Sequence, residues 1–237
     1  MPHGRTKASR VASSPGACSD QGMTDDPPAR LESLDGAADG RRFSPSAGRN
    51  RAAIVEALVD ELPQHGTCLE VAAGTGEHAA LAAERLPRWT WLPTDRDPEA
   101  LASIRAWVAH AALPNLQPPV ALELGQPWPY APESIDAVFA SNVMHISPIE
   151  ATEALFRGAV THLRPGGALL VYGPVFLPEE PRPDGNVRFD QELRAEDTSY
   201  GVRSLEELQA LAARSGLSGS TVRRMPSNNS LLRFGRG

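Results

Sequence analysis

The sequence predicts an α/β fold, in which helices cover both faces of a doubly wound, mostly parallel sheet that ends in an antiparallel hairpin. Three observations predict it. From Phe43 onward, short apolar runs alternate with helical patterns, which is typical of βαβ units around a buried parallel sheet. A glycine turn at Gly74–Gly76 joins the first of these runs to a helix. Two strand-like runs flank Pro226–Asn229 near the end of the chain.

Five strands are predicted in the parallel part of the sheet, each from a short and nearly continuous apolar run. They are Cys68–Ala72, Trp89–Leu92, Val120–Leu124, Ile135–Ala140 and Ala168–Tyr172. Helices are predicted before and between them, because apolar residues recur there at spacings of three and four. These helices are Arg49–Leu62, Glu77–Leu86, Pro98–Ala112 and Ser147–Leu163, with Asp97 and Ser147 expected as N-caps.

The last third of the domain has a different pattern. Leu177–Asn186 is rich in proline and acidic residues and is predicted to be a mobile loop. Ser204–Ser215 is predicted to be a helix, because Ser204 and Glu207 have the spacing of a capping box. The runs at Thr221–Met225 and Ser230–Phe234 then form the hairpin and bring the sheet to seven strands.

Residues 1–42 are predicted to be a disordered tail, and residues 43–237 a single domain. The tail lacks periodic apolar positions, so it buries too little surface to offset its ordering entropy. Its basic residues faintly resemble a transit peptide, whereas a translation start at Met23 is the simpler alternative. With no apolar segment that resembles a signal peptide and only two cysteines, we expect a cytoplasmic protein.

Composition narrows the classes of partner. The formal net charge is -6, which argues against sequence-independent nucleic-acid binding. No apolar run is long enough to span a membrane. The two cysteines have no metal-binding spacing, and we expect a reaction without a metal. A small-molecule substrate is the expected partner, and the oligomeric state is left open.

The segment from Leu69 to His78 carries the strongest local signal, because it has the pattern of a strand, a glycine turn and a helix start. Gly74 and Gly76 permit a tight turn and let a ligand approach the backbone. Asp95 follows the second strand, 19 residues after Gly76, where a carboxylate can accept both hydroxyls of a ribose. NAD and S-adenosylmethionine both satisfy this pattern.

Two acidic residues favour S-adenosylmethionine over NAD. A carboxylate at Glu70, inside the first strand, suits an ammonium group and is poorly placed beside a pyrophosphate. Glu123 ends the third strand, where it can reach an adenine amine. For both residues the alternative is an ordinary solvated acid. No Tyr-x-x-x-Lys pair follows the fourth strand, which weakens the case for a short-chain dehydrogenase.

Motifs spread over nearly all of Phe43–Phe234 carry a family resemblance. They are Phe43–Pro45, Arg49–Arg51, Gly74–His78, Pro127–Pro129, Asn142–Pro148, Leu163–Gly167, Tyr172–Pro174, Phe189–Asp190, Leu193–Arg194, Met225–Pro226 and Asn228–Asn229. Together they resemble a methyltransferase-like family found in bacteria and animals, which has no established substrate. The sequence departs from that family at Glu123, where an Asp is expected, and at Gly48, near an expected acid.

The resemblance implies a class I methyltransferase fold, which is Rossmann-like, and S-adenosyl-L-methionine as the cofactor. Cofactor contacts are expected from residues at the carboxyl ends of the strands and from the first helix. These are Glu70, Ala72, Gly74, Thr75, Gly76, His78, Asp95, Arg96, Glu123, Leu124, Asn142 and Asn50.

His145 and Asn142 are the candidate catalytic residues, because they follow the fourth strand at the end of the sheet where an acceptor would bind. An unperturbed imidazole titrates near neutral pH, so His145 is a candidate general base. Packing or helix capping is the alternative for His145. Transfer from a sulfonium needs no protein nucleophile, because orientation and desolvation lower the barrier.

Five residues are predicted to contact the acceptor. Asp190, Arg194 and Tyr200 lie in a polar, non-periodic stretch that we expect to close over it. A surface ion pair is the alternative for Asp190 and Arg194. Asn228 and Asn229 are expected to face the same cleft, with simple turn formation as the alternative.

The leading hypothesis is an S-adenosylmethionine-dependent methyltransferase acting on an unidentified acceptor, a small molecule or, as the alternative, a protein. The second is an NAD-dependent oxidoreductase on a Rossmann fold, against which Glu70 and the terminal hairpin argue. The third is a non-catalytic protein that binds S-adenosylmethionine.

Overall fold

The computed structural model describes residues 34–178 and 181–237, and an eight-stranded sheet with helices on both faces dominates it. The helices are α1 (Pro45–Glu61), α2 (Glu77–Arg85), α3 (Pro98–Ala111), α4 (Ile149–His162), α5 (Asp184–Glu196) and α6 (Leu205–Ser215). The strands are β1 (Asp35–Gly36), β2 (Arg42–Phe43), β3 (Gly66–Val71), β4 (Trp89–Asp95), β5 (Val120–Ala121), β6 (Ile135–Ser141), β7 (Leu163–Phe176), β8 (Arg203–Ser204), β9 (Leu217–Met225) and β10 (Asn229–Arg236).

Seven strands lie side by side in the order β5-β4-β3-β6-β7-β10-β9, and the short β8 pairs with the end of β7. The first five are parallel, whereas β10 is antiparallel to both β7 and β9. The predicted fold class and terminal hairpin are therefore confirmed. The strand order reverses between β3 and β6, and such a switch point opens a crevice at the carboxyl ends of the strands.

Two apolar clusters form the core, one on each face of the sheet. Helices α1 and α2 cover one face, where Trp89, Trp91 and Phe139 are almost fully buried. Helices α4 and α6 cover the other face, where Phe156 packs against Phe234. This two-sided cover explains why the central strands read as continuous apolar runs rather than as alternating ones.

Helix caps fix several element boundaries. Asp97 accepts a hydrogen bond from the Glu99 N–H and caps α3 as predicted, and the capping box of Ser204 and Glu207 is present at α6. The prediction that Ser147 caps α4 is wrong. The Ser147 hydroxyl donates to the Val143 carbonyl instead, and Pro148 occupies the N-cap position without a side-chain hydrogen bond.

Other boundaries differ from the prediction for identifiable reasons. Helix α1 begins at Pro45, not Arg49, because Ser44 caps it by accepting from the Ala47 N–H. The predicted strand at Val120–Leu124 pairs only over Val120–Ala121, at the edge of the sheet. Helix α5 runs through the region predicted as loop and non-periodic chain. It buries only Asn186 and Leu193, so it has no apolar stripe to reveal it.

The predicted tail boundary at residue 42 falls inside a short hairpin, since β1 pairs with β2. Residues 1–33 lie outside the described residues. The hairpin rests on α3, where the Trp107 indole donates to the Arg42 carbonyl at 3.1 Å and meets the Phe43 ring edge to face. Among the described residues, no helix is long and apolar enough to cross a membrane.

Candidate cofactor and acceptor site

The glycine turn lies between β3 and α2, at the switch point of the sheet. Its backbone is left-handed at Ala72, Gly74 and Gly76, with φ values of 54°, 58° and 91°. A Cβ atom at Gly76 would lie 3.1 Å from the Cα of Ile104, so α3 packs directly against this glycine. A Cβ atom at Gly74 would meet nothing within 4 Å. The turn is therefore anchored at Gly76 and open to a ligand at Gly74.

Asp95, at the end of β4, holds the turn in place. Its Oδ2 accepts from the Gly74 N–H at 2.9 Å and its Oδ1 from the Asp97 N–H at 3.0 Å. The residue is 7% exposed. A carboxylate has about four acceptor positions, so Asp95 keeps capacity for hydroxyl groups of a ligand. The structure thus brings together the two predicted elements, the glycine turn and the acid after the second strand.

Glu77 is a buried acid at this site that the sequence analysis missed. Its carboxylate accepts from the Ser44 N–H at 2.8 Å, from the Thr75 hydroxyl at 3.0 Å and from Arg51 at 3.1 Å. It therefore ties the glycine turn to the start of α1. No spacing rule identifies this role, because two of the donors, Ser44 and Arg51, are 33 and 26 residues away in the chain.

His78 and Asn50 lie together, as expected for two residues of one site. The His78 Nε2 is 2.9 Å from the Asn50 Oδ1. Because a carboxamide oxygen only accepts, Nε2 carries the proton and Nδ1 keeps a lone pair. Burial, helped by the charge of Arg51, lowers the pKa of His78 to about 4. The ring is therefore neutral at physiological pH.

Glu70 is enclosed between β3 and β4. Its Oε2 accepts from the Trp91 indole N–H at 2.5 Å, and burial raises the pKa of the carboxyl to about 8 in spite of this bond. The negative charge of Asp95 raises it further. Glu70 is therefore mostly protonated at neutral pH in this structure, and the contact with an ammonium group stays a prediction.

Arg96, Glu123 and Leu124 lie at the ends of β4 and β5. Arg96 pairs with Glu123 at 3.3 Å, but both side chains are more than half exposed. Leu124 packs against the core cluster on the α4 face. The structure thus places Glu123 on the surface, where its contact with an adenine amine stays a prediction.

Asn142 and His145 follow β6, the strand that pairs with β3. Asn142 is left-handed, with a φ of 60°, and its N–H donates to the Tyr172 carbonyl. His145 is 2% exposed, and its ring meets Phe189 of α5 edge to face at 5.4 Å. No described residue hydrogen-bonds to the ring. Burial and the nearby charge of Arg203 lower the pKa of His145 to about 3, so the ring is neutral.

Asp190 and Arg194 stabilise the segment that hydrogen-bonds to the backbone of His145. Asp190 accepts from the Arg194 Nε at 2.9 Å and from the Val202 N–H at 2.8 Å, and the Gly201 N–H donates to the His145 carbonyl. Arg194 is about half exposed. Tyr200, also predicted to contact the acceptor, is buried in the same segment. The known bonds of Asp190 and Arg194 are internal to this segment, and an acceptor contact stays a prediction.

Asn228 and Asn229 form the turn of the β9–β10 hairpin. Asn228 is left-handed, and its carbonyl accepts from the Asn186 side chain at 3.0 Å. The Asn229 side chain donates to the Pro226 and Ser227 carbonyls. The turn-forming alternative is thus present, and both residues also line a cavity at the carboxyl end of β7.

Comparisons with known proteins identify the family. The sequence model of the family described as "Protein of unknown function (DUF938)" matches residues 41–236. The chain belongs to this family. No group of His, Cys, Asp or Glu side chains that could hold a metal ion occurs in the described part of this DUF938 chain.

Solved structures of methyltransferases share the fold. An O-methyltransferase family 2 protein from Planctomyces limnophilus, in complex with apigenin, superposes with a TM-score of 0.69 at 20% identity over 81% of this chain and 60% of its own. The S-adenosylmethionine-dependent methyltransferase SibL superposes with a TM-score of 0.65 at 19% sequence identity, over 81% of this chain and 55% of its own. PigF, solved with SAH, superposes with a TM-score of 0.68 at 14% sequence identity, over 80% of this chain and 56% of its own.

At these identities the likeness concerns the fold alone. The DUF938 chain therefore has the α/β fold of class I methyltransferases, and it spans between 55% and 60% of the length of these three proteins.

Proposed function

We propose that this chain is an S-adenosylmethionine-dependent methyltransferase that methylates a hydroxyl group of a small molecule. One observation carries the proposal. The glycine turn after β3 and the buried Asp95 after β4 meet at the switch point of a parallel sheet, and a buried, neutral His145 follows the neighbouring strand β6. The solved methyltransferases of the same fold support it.

The residues at the turn fit an adenosyl cofactor. The backbone at Gly74 is open to a ligand, and Asp95 keeps acceptor capacity for ribose hydroxyls. The His78 Nδ1 lone pair, fixed by Asn50, suits a donor such as an ammonium group. When bound, S-adenosylmethionine supplies a methyl group already activated by the sulfonium. This chain therefore has to hold two molecules in line and exclude water.

His145 is assigned to the acceptor side of the site. Its neutral ring has a free lone pair and no partner among the described residues, so it can accept a hydrogen bond from a hydroxyl group. As an oxygen–carbon bond forms, the hydroxyl proton becomes strongly acidic. A ring with a low pKa is therefore basic enough to take that proton up, and Phe189 shields it from water.

Calorimetry with S-adenosylmethionine and with NAD tests the cofactor. We expect S-adenosylmethionine to bind the wild-type protein and NAD not to bind, and we expect Asp95→Ala to lose the binding. Asp136→Asn is the matched control, since Asp136 also accepts a backbone N–H, from Thr67 at 2.7 Å, but lies at the amino end of β6. Binding of NAD alone would make the chain an oxidoreductase, and binding of neither would contradict the proposal.

Turnover separates an enzyme from a non-catalytic binding protein. Methyl-labelled S-adenosylmethionine is incubated with the protein and a panel of hydroxylated small molecules. Label in a product supports the proposal, whereas tight binding of S-adenosylmethionine without transfer to any metabolite of a cell extract would favour a sensing role.

A further inference from the structure

A cavity of about 130 Å³ opens at the carboxyl end of β7. It lies between that strand, the start of α5 and the turn of the β9–β10 hairpin. The wall residues that carry the argument are Val175, Arg182, Pro183, Arg224, Asn228 and Ser230. The cavity is therefore on the edge of the sheet where ligands of parallel α/β folds bind.

The described wall of this cavity is cationic. It contains two arginines, Arg182 and Arg224, and no acidic residue. The guanidinium of Arg182 lies 4.3 Å from the centre of the Phe176 ring, which orients it without neutralising it. Within the described residues, Arg182 pairs with no carboxylate. No residue that the structure describes therefore neutralises the Arg182 charge at the cavity mouth.

Two neutral features of the wall add donors. Ser230 lines the cavity at 3% exposure, and none of the described residues hydrogen-bonds to its hydroxyl. Helix α5 begins beside the cavity, with Pro183 in the N-cap position and no side chain capping the first N–H groups. Uncapped N–H groups at a helix start favour an anion. The cavity thus offers a guanidinium that pairs with no described carboxylate, together with a serine hydroxyl and the N–H groups of a helix start.

Part of the cavity wall lies on the same face of β7 as His145. Ser230 pairs in register with Gly173, and a Cβ atom at Gly173 would lie 3.0 Å from the His145 ring. Val175 is two residues further along β7 and faces the same side of the sheet, roughly 7 Å away. A ligand with one end in the cavity would therefore place its other end at His145 if one ring or a short chain joined the two.

We propose that the cavity binds an anionic group of the methyl acceptor, a carboxylate or a phosphate, with Arg182 as its counter-ion. The acceptor is then a small hydroxylated acid, whose hydroxyl group reaches His145 while its anionic group occupies the cavity. This inference rests on the proposed function for the identity of the site, but the cavity and its charge are independent of the cofactor.

The experiment compares matched probes by calorimetry, with and without S-adenosylhomocysteine. The carboxylates are 4-hydroxybenzoate and 3-(4-hydroxyphenyl)propanoate, the neutral controls are their primary amides, and the phosphate is 4-hydroxyphenyl phosphate. We expect at least one anion to bind about tenfold more tightly than its neutral counterpart, the factor that one charge-assisted hydrogen bond contributes. Whether a carboxylate probe or the phosphate probe binds identifies the class of anion that the cavity takes.

Two variants test the assignment to Arg182. Arg182→Gln is expected to abolish the preference for the anion and to leave the affinity for S-adenosylhomocysteine unchanged. Arg223→Gln is the matched control, because Arg223 lies beside Arg224 on β9 but does not line the cavity and pairs instead with Asp60 at 2.7 Å. It should leave both affinities unchanged.

The outcomes distinguish this inference from the proposed function. Equal binding of anions and amides overturns the inference, as does a preference that Arg182→Gln leaves intact. Binding of S-adenosylhomocysteine without binding of any probe also overturns it. Failure of S-adenosylhomocysteine to bind, with an Arg182-dependent preference for anions still present, would contradict the proposed function and keep the anion site.

Discussion

Gly173 on β7 lies against the ring of His145, so closely that a Cβ atom at this glycine would be 3.0 Å from the His145 Cε1 and 3.2 Å from Nδ1. The side-chain oxygen of Asn142 would be 3.4 Å away. The absence of a side chain on one strand position thus makes room for both candidate catalytic residues.

Gly173→Ala is therefore expected to displace the His145 ring. Methyl transfer should fall by on the order of tenfold to a hundredfold, because small misplacements of a reacting group have effects of that size. Affinity for S-adenosylmethionine should stay unchanged, since the glycine turn after β3 is untouched. The measurement is turnover together with calorimetry, and unchanged turnover would remove His145 from the acceptor site.

His145→Asn tests the proton acceptor directly. We expect the turnover number to fall by about 10² to 10⁴, the usual contribution of general base catalysis, while S-adenosylmethionine still binds. The matched control is His65→Asn, an exposed histidine in the turn before β3. Loss of cofactor binding in His145→Asn would show instead that the ring serves the fold.

Glu70→Gln tests the buried carboxyl group through pH. Folding raises the pKa of Glu70 from 4.5 to about 8, so its contribution to the free energy of unfolding is complete below pH 4.5 and is lost as the pH rises toward 8. Relative to Glu70→Gln, which does not titrate, the wild-type protein should lose on the order of 1.4 kcal/mol for each pH unit in this window.

Urea unfolding of both proteins at several pH values between about 5 and 8 measures this difference. Glu56→Gln, at an exposed position of α1, is the control and should show no such trend. If the difference in the free energy of unfolding between wild type and Glu70→Gln did not change with pH, the carboxyl would be ionised over the whole range. It would then need a stabilising partner in addition to Trp91.

Two helix glycines should respond oppositely to alanine. A Cβ atom at Gly158 of α4 would lie 2.2 Å from the Trp128 ring, which cannot retreat because it is buried and stacked on His162. Gly158→Ala should therefore destabilise the protein by about 1–3 kcal/mol. A Cβ atom at Gly48 of α1 would meet nothing within 4 Å. Gly48→Ala should therefore raise the free energy of unfolding by up to about 1 kcal/mol.

Thermal or urea unfolding of the two alanine variants measures both changes in stability, the expected decrease for Gly158→Ala and the expected increase for Gly48→Ala. A neutral Gly158→Ala would mean that Trp128 has a second position in the core. A destabilising Gly48→Ala would mean that the start of α1 needs backbone freedom that its helical conformation does not reveal.

The periodicity of apolar residues predicted most of the fold because it reports burial directly. Strands β3, β6 and β7 are covered on both faces, and each reads as a continuous apolar run. Helix α5 was not predicted because it buries only two side chains. A helix without an apolar stripe leaves no periodic signal.

The candidate site was predictable where one short segment carries it. Gly74 and Gly76 are identifiable because glycine adopts the left-handed backbone of a tight turn most readily, and Asp95 follows from its position after the next strand. Glu77 and Arg182 were not predictable as site residues. Ser44 reaches Glu77 only when distant elements pack, and the contact of Arg182 with Phe176, six residues before it, follows no spacing rule.

The alternation of elements, the glycine turn with its acid and the terminal hairpin could be predicted from residue order alone, because each depends on spacing within one or two neighbouring segments. Which polar groups are occupied by internal hydrogen bonds, and which are not, depends on how distant segments pack. Asp190 is used up by Arg194 and the Val202 N–H, whereas the ring of His145 keeps its lone pair. Burial and hydrogen bonding between distant segments set that difference, and neither is encoded in local spacing.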